Sequence, residues 1–173
     1  MLVGVAAAVA AAAAQAGVLL SLEEALHLAF PGAEIRRQPL FLTEEQRVQV
    51  RRLGGSPLAS NLLVRYEAFR DGQLVGVAYT DTHRVRTLAA TLLVALDPAG
   101  SVVRVEVLSF AEPLEYLPRP EWYRQLDGRR LDQELALKRS VRPVAGATLT
   151  ATATVEAVRR VLALHAVLGT SFP

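Results

Sequence analysis

The pattern of apolar and polar positions changes character several times along the chain. Over residues 1–20 no side chain is charged and alanine, valine and leucine dominate. Ser21-Leu22-Glu23-Glu24 then opens a different texture. A hydroxyl followed three positions later by a glutamate is the spacing at which two side chains satisfy the free amides of a helix start, and Pro31-Gly32 ends the segment. Thr43-Glu44-Glu45-Gln46 repeats the device before Val48, Val50 and Leu53, with Gly54-Gly55 as the stop. Two short helices are predicted.

From Asn61 onward the period shortens to that of strands. Asp71-Gly72 sits between apolar runs at 62–69 and 74–79, a hairpin signal because both residues tolerate the positive φ of a tight primed turn. A second pair at 87–96 and 102–108 flanks Asp97-Pro98-Ala99-Gly100, and there Arg104 and Glu106 alternate with Val103, Val105 and Val107. The expectation is a four-stranded antiparallel meander with one buried face. Pro120 and Gly128 bracket a short helix at 121–127. The last element is expected at 154–168, where Val158, Val161, Leu162 and His165 share a helical face and Glu156 precedes Arg160 by one turn. Helices on an antiparallel sheet make an α+β fold, and nothing in the pattern divides it into two domains.

Composition narrows the function. With 51% hydrophobic and 21% charged residues the chain has the apolar content to fold. Its 19 basic and 17 acidic residues are scattered, so no basic stripe follows a nucleic-acid backbone. The absence of cysteine excludes disulfides, thiolate metal sites and iron–sulfur clusters. His27, His83 and His165 lack ligand spacing and read as two helix-face histidines and one surface histidine, with no metal expected. In the N-terminal run, Ala14-Gln15-Ala16 has the small-x-small form of an export cleavage site, though no basic residue precedes it. Residues 1–16 are therefore read as a signal peptide or membrane anchor, which places the remainder, 17–173, outside the cytoplasm; the alternative is an alanine-rich helix packed on a cytosolic domain.

One segment has the character of a ligand loop. Pro143-Val144-Ala145-Gly146-Ala147-Thr148-Leu149-Thr150-Ala151-Thr152 brings small residues and hydroxyls to a helix start. Gly146 permits unusual backbone angles, small side chains leave amides accessible, and a helix N-terminus presents unpaired N–H groups to an anion. Taken alone, the same residues also suit a threonine-rich cap and turn.

Gly146-Ala147-Thr148, preceded by Phe110-Ala111-Glu112-Pro113-Leu114-Glu115-Tyr116, Trp122 and Leu126-Asp127-Gly128, resembles the FMN-binding domain family. That family includes the flavin-carrying G subunit of the Rnf complex and the C subunit of the sodium-translocating NADH:quinone reductase. The similarity runs over about 74–168 and combines two separated motifs in the same order. It implies FMN as cofactor, joined to Thr148 by a phosphoester, with Gly146, Ala147, Leu149 and Thr150 beside it and Glu112, Tyr116 and Trp122 near the flavin ring. It also implies a flavin transferase as modifying partner and subunits of a membrane redox complex as electron-transfer partners. Two positions depart from the family: Ala145 replaces a serine or threonine, and Arg142 replaces an aspartate. The first removes a hydroxyl beside Thr148, and the second places a cation where it favours phosphate.

The leading expectation is an extracytoplasmic electron carrier. A flavin reductase acting on a small substrate would instead need Tyr116 or Glu112 as proton donor, and a flavin-free exported binding domain would need neither.

Overall fold

The computed structural model describes residues 17–169. The apolar segment at 1–16, on which the expectation of an export signal or anchor falls, lies outside them. Twelve elements follow in order: β1 (Gly17–Val18), α1 (Leu22–Ala29), β2 (Glu34–Phe41), α2 (Glu44–Gly54), β3 (Leu62–Arg70), β4 (Gln73–Arg84), β5 (Ala89–Leu96), β6 (Val102–Phe110), a 3-10 turn (Leu114–Tyr116), α3 (Pro120–Tyr123), a second 3-10 turn (Arg124–Leu126) and α4 (Thr148–Leu168).

Both predicted capping boxes form. Ser21 accepts from the Glu24 amide while the Glu24 carboxylate takes the Ser21 amide, and Thr43 and Gln46 do the same for α2. Gly55 ends α2 at φ 88°, a left-handed angle that a side chain would oppose. Asp71 and Gly72 turn the β3–β4 hairpin at φ 52° and 74°, as a primed turn requires.

The α+β class holds, but the sheet is larger than the expected meander. Six antiparallel strands run in the order β1-β6-β5-β4-β3-β2, so the four central strands are flanked by two edges. β2 pairs with β3 from Glu34 opposite Phe69 to Phe41 opposite Leu62. Its sequence, EIRRQPLF, has no period-two alternation and carries Pro39, which only an edge strand tolerates.

The expectation of one buried face is also corrected. Successive residues of β4 and β5 point to opposite faces, and both faces are covered. Val77, Tyr79, Leu92, Val94 and Leu96 pack with α2, α4 and Trp122. Ala78, Leu93 and Ala95 pack with Ala25, Leu26 and Ala29 of α1 and with its C-cap residue Phe30. Burial on both faces removes the need for polar alternation, hence the continuous run LLVAL in β5. At Gly76 an added Cβ would collide with the Phe30 ring, so the missing side chain is what lets α1 seat on β4.

α4 begins at Thr148, a turn and more before the expected start at Thr154. Its anchors are apolar: Val155, Val158, Val161, Leu162 and Leu164 are each at most 4% exposed. Full burial of one such side chain contributes about 1.5–3 kcal/mol, more than an entire helix cap at about 1 kcal/mol. Packing therefore sets this helix. The predicted Glu156–Arg160 pair does not form; Arg160 turns inward and its Nε and Nη2 donate to the Asp81 carboxylate at 3.0 and 2.8 Å. Ser56 Oγ accepts from Arg160 Nη1 at 2.8 Å, and Gly54 lets α2 cross α4 with only 3.1 Å between its would-be Cβ and the Arg160 Cα.

Candidate functional site at the start of the last helix

Residues 127–147 contain no helix or strand, only an isolated bridge between Leu137 and Val141. The segment is nevertheless held firmly. Leu135 and Val141 are fully buried, and Arg159 Nη1 of α4 donates to the Asp132 and Leu135 carbonyls at 2.6 and 3.1 Å. The buried Trp122 indole donates to the Arg142 carbonyl at 2.7 Å, and Gln125 Oε1 accepts the Arg142 amide at 3.0 Å. The approach to Thr148 is thereby fixed by α3 and the turn after it.

Gly146 follows at φ 79°, with open space where a Cβ would stand. Ala147 is the N-cap residue of α4, but its backbone (φ −123°, ψ 25°) differs from the extended Ser21 and Thr43 (ψ 155° and 160°), and it makes no side-chain cap bond. The amides of Thr148, Leu149 and Thr150 lie before the first intrahelical bond, which Ala151 donates to Ala147 at 2.9 Å. No acidic side chain stands in this turn, whereas α1 and α2 carry two each. The positive end of a 21-residue helix is thus uncompensated by any side-chain cap or carboxylate of its own first turn.

Thr148 is exposed, and its Oγ1 makes one long hydrogen bond, donating to the Val144 carbonyl at 3.2 Å. Leu149 is 55% exposed. Thr150 is buried and does something else: its hydroxyl donates to the Tyr116 carbonyl at 2.6 Å, tying the Leu114–Tyr116 turn to the helix start. Thr152 back-bonds to the Thr148 carbonyl at 2.9 Å. The second half of the stretch read as a loop, 148–152, is therefore the start of the helix itself, and the amides ahead of the helical ladder are those of 148–150.

The remaining candidates divide. Tyr116 joins the cluster, half-buried beneath the Arg86 guanidinium 4.8 Å from its ring centroid. Glu112 is buried in the neighbouring turn. Its Oε1 accepts the amides of Arg86, Thr87 and Leu88 at 3.2, 2.7 and 2.8 Å, and these bonds, led by that from Leu88, hold the carboxyl below the usual glutamate range. It shapes the β4–β5 turn that carries Arg86. Trp122 is 8% exposed and stacks edge-on with Tyr123, so it forms the support of the approach segment. Sequence reasoning missed Arg86, which stands outside any motif and reaches Tyr116 only through the Glu112-held turn.

The donor set suits the phosphate end of FMN: free first-turn amides, an open glycine before them and an accessible hydroxyl among them. The indole and the Glu112 oxygen, expected near the ring, already have protein partners. Electron transfer is the chemistry a bound flavin would supply; this chain's own groups would hold its phosphate and set its position.

One histidine differs from expectation. His83 is not a surface residue; its side chain is 8% exposed and its Nδ1 lies 2.9 Å from Asp81 Oδ1. His165 is buried, with the Tyr79 hydroxyl 3.2 Å from its Nδ1. Among the described residues no group of three or more histidines or acidic residues could hold a metal, and no helix is long and apolar enough to cross a membrane.

Comparisons of the chain with protein-family models, with curated proteins and with solved structures give no match.

Proposed function

We propose that this chain is an electron-carrying flavoprotein that holds FMN at the start of α4, covalently through the Thr148 hydroxyl. The observation that carries the reading is the exposed hydroxyl of Thr148, set in a first turn without cap or carboxylate and preceded by an open glycine. A phosphodiester there would accept from the 148–150 amides and lie at the positive helix end, an interaction contributing about 0.3–1 kcal/mol when exposed. The Arg142 side chain, exposed just upstream, adds charge of the favourable sign. A carrier role is supported over a reductase because Glu112, one of the two candidate proton donors, has an oxygen already accepting three backbone amides.

On this reading a flavin transferase installs the cofactor, and the partners are subunits of a membrane redox complex on the extracytoplasmic side. The test is the intact mass of full-length protein produced with a flavin transferase and FAD, from which the Thr148 hydroxyl takes the FMN phosphoryl group as AMP leaves, recorded after denaturation and desalting. The expected mass exceeds that of the polypeptide by one FMN unit; Thr148→Ala removes the increment, and Thr150→Ala retains it. Colour lost entirely on denaturation would reduce the reading to non-covalent binding. Protein that takes up no flavin at all would overturn it.

A further inference from the structure

The opposite face of the sheet carries a second concavity, between α1 and the β2–β3 edge. It has a volume of about 470 Å³, within the range of about 300–1,000 Å³ typical of small-molecule sites. Its floor is apolar and closely held: Leu26, Phe30 and Tyr66 are 6, 5 and 4% exposed, and the Phe30 ring rests on the bare backbone of Gly76. Ile35 of β2 closes one side. The rim is charged. Glu23 and His27 stand one turn apart on the exposed face of α1, and Arg37 stands on the strand opposite.

Arg37 separates this cleft from an ordinary dent in the surface. Its neighbours on the sheet are paired: Arg36 with Glu34 at 2.9 Å and Arg65 with Glu67 at 2.7 Å. Arg37 makes no ion pair among the described residues, and its guanidinium lies 5.6 Å from the Tyr66 ring centroid. A planar cation held on an aromatic face at the mouth of an apolar cleft is oriented in advance for a carboxylate, which it can meet with two parallel hydrogen bonds. Glu23 on the far lip repels the same carboxylate and so directs it toward the strand.

We propose that this cleft binds a small amphipathic monocarboxylate, its apolar body on Leu26, Phe30 and Tyr66 and its carboxylate on Arg37. The site lies on the α1 face of the sheet, away from α4, and does not depend on flavin.

The test is a titration of the full chain with octanoate, and with 1-octanol as the uncharged control, followed by amide NMR and calorimetry. Octanoate is expected to bind more tightly than octanol and to move the amide signals of Leu26, Phe30, Ile35 and Tyr66. Arg37→Gln, on an exposed strand position, should weaken octanoate about tenfold or more, through loss of the paired charge-assisted hydrogen bonds, and leave octanol unchanged. Ala33→Phe, which fills the cleft from its mouth, should weaken both ligands. Equal affinity for the two ligands, an Arg37→Gln protein that binds octanoate like the parent, or signal changes confined to other faces would each overturn the proposal. So would a folded protein that binds neither.

Discussion

The helix starts of this protein fall into two kinds. α1 and α2 open with complete capping boxes and two glutamates in the first turn, and α4 opens with Ala147, no cap bond and no acidic residue. The short helices are largely exposed: α2 has only Val50 and Gly54 buried, so its ends need local support. α4 buries residues along its whole length and is tied to β4 through Arg160 and Asp81. A helix secured by packing can leave its first amides unspent, and those amides are what an anion would use. Residue identity is only part of the reason, because the Ala147 backbone angles would not aim a serine at the 149–150 amides.

Four measurements bear on this contrast. The largest effect is expected at Asp81. Burial by itself would raise its pKa, but hydrogen bonds from His83 and Arg160 outweigh that and hold it below the usual carboxylate range. Asp81→Ala leaves Arg160 buried without its partner and should cost about 3–5 kcal/mol in urea denaturation. A cost under about 1 kcal/mol would mean that α4 is not anchored there.

Ser21→Ala and Thr43→Ala come next, each expected to lower stability by about 0.5–2 kcal/mol through loss of a cap. If neither moves the transition, the two kinds of helix start do not differ energetically.

A smaller effect follows pH. Burial, with the Arg65 charge second, lowers the His165 pKa below its ordinary value of about 6.5. The unfolded chain then binds more protons between the lowered value and about 6.5, so this contribution is complete above about 6.5 and is lost as pH falls through that window. Tyr79, pushed up to about 12 mainly by burial, remains protonated throughout, its hydroxyl within hydrogen-bond distance of His165 Nδ1. The thermal midpoint should therefore decline from pH 7 toward pH 5, and His165→Gln should flatten the slope. An unchanged slope would assign the decline to other groups. The carboxyls of Asp81 and Glu112, both lowered, act below this window, their contributions being lost as pH falls under the ordinary carboxylate range.

The smallest effect is expected at Ala147→Ser. In an extended N-cap this change would gain about 1 kcal/mol, but with the observed backbone it should change stability by less than about 0.5 kcal/mol. A full cap's gain would show that residue identity alone keeps α4 uncapped.

Much of this molecule was legible in the chain because the signals are local. Hydroxyl and glutamate or glutamine three apart, Asp71-Gly72 and Gly55 each determine backbone geometry within a few residues, and all three kinds of signal lie where the pattern put them. Thr148 was singled out by the resemblance to the FMN-binding domain family and not by local pattern; it stands at a helix start with its hydroxyl exposed. What tertiary structure decided is everything that depends on a second segment. β2 is a strand only because β3 offers it a ladder; its own residues, with Pro39 among them, do not alternate. α4 reaches back to Thr148 because Thr150 finds the Tyr116 carbonyl and Ala151 and Val155 find the core, overriding the weak helix preference of a threonine-rich stretch. Arg160 pairs with Asp81 instead of Glu156 because a buried carboxylate on β4 needs a cation and a solvated glutamate one turn away does not. Local sequence determined where backbone turns and caps could form, and long-range burial decided which side chains were drawn inward and which hydroxyls were left exposed.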